Sequence, residues 1–213
     1  PVFILTDQYL ADSSRAVETF PADVEQVTCG GQNPPGKPGD YKRYQVTESG
    51  ISPRCIPGEG EALVVADSDE HTEDGHLTED LTVRRTMVEK RFKKFDALCG
   101  DVMPPEVTGD DAPDLLFVCW GSSRGAVLEA AEMVRNQGRK AAVLHFPQVW
   151  PLVPAQFIDH LTKAGEVVCV EGNATGQFAK LIRRETGVLI EKKVLRCDGL
   201  PFTASYILDR LND

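Results

Sequence analysis

The chain has 213 residues, 41% of them hydrophobic, and a formal net charge of −10, with 33 Asp and Glu against 23 Lys and Arg. This length and apolar content suffice for a globular protein with a substantial core. The negative charge argues against nucleic acid and anionic membranes as partners, because both select clustered Lys and Arg. No apolar stretch reaches the roughly 20 residues needed to cross a bilayer and no signal peptide is visible, so we expect a cytoplasmic protein.

The first 20 residues open on a short apolar run at positions 1–7, PVFILTD. A run of this kind is typical of a strand buried on both faces in a parallel sheet. Such a strand needs neighbours on both sides. We therefore expect this chain to be a piece of a longer protein, with residues 1–20 as the last strand and exit of a truncated domain.

Residues 21–111 are predicted to form a connector that includes a proline- and glycine-rich loop at 29–39. An acidic stretch leads into a basic one, and the charge order suits the dipole of a helix starting near Thr78. Its apolar residues recur at helical spacing and predict one buried face; they are Val83, Met87, Val88, Phe92, Phe95 and Leu98.

The loop at 67–76 contains ligand types that suit a metal ion, namely Asp67, Asp69, His71 and His76. The spacing excludes an EF-hand, because Thr72 stands at the position that requires glycine and Thr78 at the position that requires glutamate. We interpret this segment as a solvated or interface loop, with a metal site as the alternative.

The six cysteines are at least 20 residues apart, so no C-x-x-C pair is available for a zinc site or an iron–sulfur cluster. Cys119 and Cys169 lie in apolar runs, where a thiol behaves as a small hydrophobic group. We expect buried reduced thiols, with a redox or metal role as the alternative.

Residues 112–213 alternate strands and helices. Strands are predicted at 115–120, 141–145, 167–170 and 188–195, and helices at 126–137, 154–163 and 174–186. This order predicts an α/β fold in which a parallel sheet carries helices on both faces. Ligands or partners of such sheets meet the carboxyl ends of the strands.

Three turns are expected at those ends. We interpret Ser122 and Thr175 as capping or turn residues, with anion binding by the glycine- and serine-containing helix start as the alternative. The turns also contain the candidate contacts with partner domains, which are Gly121, Ser122, Ser123, Trp150, Asn173, Thr175 and Gln177.

Self-contained catalysis is not visible in the sequence. Ser122 lacks the Gly-x-Ser-x-Gly elbow of a serine hydrolase, and His145 at a strand end is expected to be a satisfied core or loop histidine. We therefore assign no catalytic, cofactor-binding or metal residue.

Several motifs together resemble the alpha subunits of 2-oxoacid:ferredoxin oxidoreductases, most of all the 2-oxoglutarate type. They are PVFILTDQYLAD at 1–12, GISPR at 50–54, IPG at 56–58, DSDEHTEDGHLTED at 67–80, WGSS at 120–123, LHFPQVWPL at 144–152, NATGQFA at 173–179 and DGLPF at 198–202.

The resemblance implies that residues 1–20 are the last strand and exit of a pyrimidine-binding domain and that residues 112–213 are similar to the transketolase C-terminal domain. Residues 21–111 would connect these two domains. It also implies a parent enzyme that uses thiamine diphosphate and Mg²⁺ and carries an iron–sulfur cluster on partner subunits or domains. Coenzyme A and ferredoxin would be its further reactants. The protein partners of this chain would be a beta subunit and the remainder of the alpha subunit. The Gly-Asp-Gly…Asn pattern for the diphosphate is absent from the sequence. We therefore expect a structural, interface-forming role and no activity in isolation. The alternative is a free-standing α/β module that binds a metal or a small anion.

Overall fold

The computed structural model of the protein describes residues 2–19, 40–58 and 62–211. These belong to two compact units, one containing residues 2–16 and 102–211 and the other drawn from residues 17–101. The whole proline- and glycine-rich loop at 29–39 and residue 1 lie outside the described residues. No helix in the described ranges is long and apolar enough to cross a membrane.

A five-stranded sheet forms the centre of the first unit, in the order β1-β3-β2-β4-β5. Its strands are β1 (Glu106–Gly109), β2 (Leu115–Trp120), β3 (Ala141–Phe146), β4 (Glu166–Glu171) and β5 (Lys192–Leu195). Strands β2 to β5 run parallel to one another, as predicted. The sheet is mixed because β1 joins β3 in the antiparallel sense.

Two strands differ from the sequence prediction. β1 lies in the stretch assigned to the connector, and its four residues are all exposed, so it has no apolar run that would identify it. β5 is shorter than predicted, Lys192–Leu195 instead of 188–195, because only these residues pair with β4.

Six helices accompany the sheet and the second unit within the described residues. They are α1 (Gln8–Asp12), α2 (Leu81–Gly100), α3 (Arg124–Asn136), α4 (Ile158–Lys163), α5 (Gln177–Thr186) and α6 (Ala204–Leu211). One face of the sheet packs against α3 and α6, and the other against α4 and α5. The prediction of an α/β fold with helices on both faces is therefore confirmed.

Helix α6 was absent from the sequence prediction. Thr203 precedes it, and its Oγ1 accepts a hydrogen bond from Tyr206 N at 3.2 Å, as a capping residue does. Ile207 is fully buried against the sheet. The threonine followed by an apolar turn is the signal that could have identified this helix.

Residues 2–7 form no strand with the described residues, and because the predicted strand would pair with segments outside this sequence, that expectation stays a prediction. A strand requires hydrogen bonds to a neighbouring strand, and none of the described residues pairs with this segment. Val2, Phe3 and Ile4 are 85–91% exposed. Asp7 instead begins α1, where its Oδ1 accepts a hydrogen bond from Leu10 N at 2.9 Å.

In the second unit, α2 begins at Leu81, three residues after the predicted start. Asp80 caps it, because its Oδ1 accepts hydrogen bonds from Thr82 N at 2.7 Å and Val83 N at 3.1 Å. The helix is thus confirmed with a shifted start.

The predicted apolar face of α2 is buried only in its first half, at Met87 and partly at Val83 and Val88. Met87 and Lys90 are buried, while Phe92 is 70% exposed and Leu98 48% exposed. Residues two positions apart on an α-helix point about 200° apart, so burial of Lys90 turns Phe92 away. The loop that covers the helix reaches it at Gly50, which lies against the carbonyl of Lys90.

Candidate functional site

The turns that follow β2, β3 and β4 lie side by side at one edge of the sheet, because the three strands are adjacent and parallel. All seven candidate contact residues belong to these turns or to the helix starts beside them. The expectation that they share one edge is confirmed. Their role in contacting a partner stays a prediction at this point.

The first turn is a short 3-10 helix at Gly121–Ser123 that leads directly into α3. No side chain caps the start of α3. Ser122 Oγ instead donates a hydrogen bond to the carboxylate of Asp7, and Ser123 Oγ donates one to the carbonyl of Trp120 at 2.8 Å. Of the two expected roles, cap or turn residue, Ser122 has the second, and its hydroxyl bonds the side chain of Asp7.

The third turn caps α5 through Asn173 rather than Thr175. Asn173 Oδ1 accepts hydrogen bonds from the backbone N–H groups of Thr175, Gly176 and Gln177 at 3.1, 2.8 and 3.3 Å. Gly176 adopts a left-handed conformation with φ of 63°, which a side chain would strain. The turn caps its helix as expected, but the side chain that does so is the asparagine.

Glu171, at the end of β4, completes this cap and is 1% exposed. Its carboxylate accepts hydrogen bonds from Phe178 N at 2.7 Å, Ala179 N at 3.0 Å and Asn173 Nδ2 at 2.8 Å. A buried carboxylate is tolerable here because donors and the positive end of the helix dipole surround it. No individual role was predicted for Glu171. Its position as an acidic residue between a strand and a helix start was the feature of the sequence that could have indicated the cap.

The same carboxylate influences a neighbouring thiol. Cys169 Sγ lies 3.3 Å from Glu171 Oε1 and is fully buried. Burial, together with the negative charge of Glu171, raises the pKa of Cys169 well above its ordinary value. Burial likewise raises the pKa of Cys119 to about 12. Both buried thiols predicted from the sequence are confirmed.

The second turn presents Trp150, which is 47% exposed. The guanidinium of Arg184 lies 5.3 Å from the centre of its ring, and Gln148 Nε2 donates a hydrogen bond to its carbonyl at 3.1 Å. Beneath the turn, the rings of Phe146 and Phe178 meet edge to face at 4.8 Å. An aromatic side chain is thus held at the surface above a packed aromatic base.

His145 is buried at the carboxyl end of β3, between Glu106 on β1 and Cys119 on β2. Within the described residues neither ring nitrogen has a hydrogen-bond partner, and neither has the indole nitrogen of Trp120. The nearest carboxylate oxygen, on Glu106, is 3.8 Å from Nδ1 and pairs with Arg124 at 3.0 Å. His145 thus differs from the expected satisfied histidine in that no group of the described residues lies within hydrogen-bond distance, although Glu106 and the backbone of Gly121 are close enough to raise its pKa.

The environment of His145 favours the neutral imidazole. Burial and the positive charge of Arg124 lower the pKa of His145, and Glu106 only partly offsets them. The carboxyl edge therefore presents a neutral imidazole and a buried indole N–H beside an exposed tryptophan. Such groups can form directional hydrogen bonds and apolar contacts.

The four weak metal candidates of the second unit do not converge. Asp67 Oδ1 accepts a hydrogen bond from Asp69 N at 3.1 Å, His71 stacks on Tyr44 at 3.5 Å, and His76 pairs with Asp74 at 3.1 Å. In the parts of the chain that the structure describes, no three His, Cys, Asp or Glu side chains gather to hold a metal ion.

Comparison with known proteins agrees with this architecture. The transketolase C-terminal domain family matches residues 106–210. Subunit alpha of 2-oxoacid:ferredoxin oxidoreductase 2 of Aeropyrum pernix is 34% identical over 94% of this chain and 32% of its own length. The KorA subunit of the Mycobacterium tuberculosis 2-oxoglutarate oxidoreductase is 32% identical over 62% of this chain and 20% of its own.

A solved structure is similar as well. It is the 2-oxoglutarate:ferredoxin oxidoreductase from Magnetococcus marinus with 2-oxoglutarate, coenzyme A and succinyl-CoA bound. Its TM-score is 0.73 at 31% identity, with 83% of this chain and 32% of that chain covered. The chain thus spans about a third of the length of these proteins.

Removing the Glu171 carboxylate should destabilise the first unit. We expect Glu171→Ala to lower the free energy of unfolding by about 2–4 kcal/mol, because it leaves buried N–H groups of α5 unpaired. Glu171→Gln should cost less, since one carbonyl oxygen remains. Urea denaturation measures both changes. The exposed Glu191→Ala is the control, expected within about 0.5 kcal/mol of the unchanged protein; an equal effect of all three variants would contradict the capping role.

His145 should make the protein less stable in mild acid. Its folded pKa is lowered below 6.5, so the unfolded chain binds the proton more tightly. This contribution to stability is present above the unfolded pKa and decreases as the pH falls through 6.5 towards the folded value. NMR titration of the imidazole should give a midpoint below 6.5. Denaturation of His145→Gln between pH 7 and pH 5 should lack this part of the pH dependence, and an unchanged profile would refute the assignment.

Proposed function

This chain belongs to the family of 2-oxoacid:ferredoxin oxidoreductase alpha subunits, and we propose that it supplies a structural, interface-forming part of such an enzyme. Its first unit is built like the transketolase C-terminal domain, whose family model matches residues 106–210. Agreement with relatives over most of this chain supports the assignment.

We infer that the enzyme's substrate is 2-oxoglutarate. The support comes from relatives and a solved structure whose names contain this oxoacid. The reaction then oxidatively decarboxylates the oxoacid, transfers the acyl group to coenzyme A and passes two electrons to ferredoxin. Thiamine diphosphate with Mg²⁺ would supply the carbanion chemistry, and an iron–sulfur cluster on the partner subunit or other domains would carry the electrons.

We propose the carboxyl edge as the contact with the beta subunit. The observation that carries this proposal is Trp150, whose aromatic ring is 47% exposed at this edge. Tryptophan is among the residue types that most often anchor interfaces. The ring nitrogens of His145 and the indole nitrogen of Trp120 lie buried beneath the same edge and lack hydrogen-bond partners within the described residues.

We propose a second contact on α2, with the remainder of the alpha subunit. Phe92 and Leu98 are large apolar side chains of this helix that stay exposed, at 70% and 48%. Burial of such a side chain stabilises an interface by about 1.5–3 kcal/mol. A domain that covers this helix would therefore gain substantial free energy.

Reconstitution tests the activity. The full-length alpha subunit together with its beta subunit should reduce methyl viologen when supplied with 2-oxoglutarate and coenzyme A, and more slowly with pyruvate. Residues 1–213 alone should show no oxoacid-dependent reduction. Activity of this chain without a beta subunit would overturn the structural role, and a preference for pyruvate would overturn only the choice of substrate.

Trp150→Ala tests the contact surface. In the full-length alpha subunit we expect this substitution to weaken association with the beta subunit at least tenfold, because an aromatic anchor is lost. Isothermal titration calorimetry measures the affinity. Lys140→Ala at the opposite end of the sheet is the matched control and should leave it unchanged. Equal affinities for the two variants would remove Trp150 from the interface.

A further inference from the structure

The surface formed by the second turn, the third turn and α5 carries cations but almost no carboxylates. Residues 146–157 and 172–184 contain no Asp or Glu, although the chain has 33 acidic residues in total. Glu171, the acid that ends β4, is buried and already bonded by Asn173 and by the start of α5. We call the exposed parts of residues 146–157 and 172–184 the acid-free surface. It stands out on a chain whose net charge is −10.

Helix α5 supplies three positive charges to the acid-free surface. Lys180, Arg183 and Arg184 are exposed, and Lys180 lies one helical turn before Arg184 on the same side of the helix. Within the described residues, Arg184 has a single carboxylate partner, Glu185, whose Oε1 accepts a hydrogen bond from Nε at 2.7 Å. Three cations beside one carboxylate leave this helix with an excess of positive charge.

Arg184 also contacts the exposed tryptophan of the second turn. Its guanidinium carbon lies 5.3 Å from the centre of the Trp150 ring, which is a cation–π arrangement. The carbonyl of Trp150 accepts a hydrogen bond from Gln148 Nε2 at 3.1 Å, and Gln148 Oε1 accepts one from Met103 N at 3.3 Å. The arginine and the ring belong to one series of contacts, so the guanidinium has a defined place beside the aromatic side chain.

The guanidinium of Arg184 still has donors to offer. The side chain is 65% exposed, and only its Nε is bonded to Glu185. In the part of the chain that the structure describes, no acceptor is bonded to its two terminal nitrogens. A planar guanidinium can bind a carboxylate through two parallel N–H bonds, which the terminal nitrogens can supply. The position therefore suits a carboxylate that approaches from outside the chain.

We propose that Arg184, with Lys180 and Arg183 beside it, binds acidic side chains of the beta subunit next to Trp150. Such binding presupposes the contact with the beta subunit and thus rests on the proposed function. A chain with a net charge of −10 repels an acidic partner over most of its surface, so the acid-free surface is where such a partner can approach. Arginine and tryptophan are also among the residue types enriched at the energetic centres of interfaces.

Calorimetric titration of the beta subunit into the full-length alpha subunit tests this chemistry. At roughly 50 mM NaCl, Arg184→Gln should weaken binding about tenfold, because a charge-assisted pair is lost. At roughly 400 mM NaCl the difference should shrink, since salt screens the pair. Arg139→Gln is the matched control and should leave the affinity unchanged. Arg139 is a 45% exposed arginine at the opposite end of the sheet that likewise pairs with one carboxylate.

Trp150→Ala separates this proposal from the proposed contact itself. If Trp150→Ala weakens binding but Arg184→Gln equals Arg139→Gln at both salt concentrations, the acidic partner is overturned and the contact stands. If Trp150→Ala has no effect either, the contact fails as well. Weakening by Arg184→Gln that does not change with salt also overturns the proposal, because the arginine then only orients the ring.

A second variant guards against a folding defect. Circular dichroism verifies that each variant is folded, and Lys180→Met decides the test if Arg184→Gln does not fold. Lys180→Met keeps the aliphatic stem, removes one charge of the acid-free surface, and should weaken binding more at low salt than at high salt. The same affinity as Arg139→Gln at both salt concentrations would contradict the proposal.

Discussion

The complete burial of β2 is the constraint on which the rest of the first unit depends. Leu115, Phe117 and Cys119 face one side of the sheet and Leu116 and Val118 the other, and all are at most 1% exposed. A strand buried on both faces needs helices on both sides and hydrogen-bonded strands at both edges. This requirement places β3 and β4 beside β2, and with them the three turns at one edge.

Polar groups at that edge fall into two classes. Around Glu171 every donor at the start of α5 meets a carboxylate or amide oxygen, so the buried charge stabilises the helix. Around His145 the only nearby carboxylate is held by Arg124, and the imidazole nitrogens have no partner in the described part of the chain. The arrangement around Glu171 is accounted for by its local role in capping α5. The arrangement around His145 leaves buried polar nitrogens without partners, which costs free energy.

The second unit shows how charge is distributed in an acidic protein. Helix α2 carries six Lys and Arg residues against two acids, and part of this positive charge faces inward at Lys90. Its apolar side chains beyond the first turns face outward at Phe92 and Leu98. Phe92 lies about 160° from Lys90 around the helix, so burial of Lys90 leaves Phe92 exposed.

The sequence by itself determined the α/β class, the four parallel strands and helices α3 and α5, since these depend on local apolar runs and on glycines at turns. It also placed the seven turn residues at one edge, because parallel strands end on the same side. Only the tertiary structure revealed β1, the pairing of Ser122 with Asp7, the cap formed by Glu171 and Asn173, and the isolation of His145. Each of these depends on contacts between segments distant in sequence or on the exact geometry of a turn, which local periodicity does not encode. The orientation of α2 was likewise decided by packing, because a loop residue, Gly50, selects which side of the helix is covered.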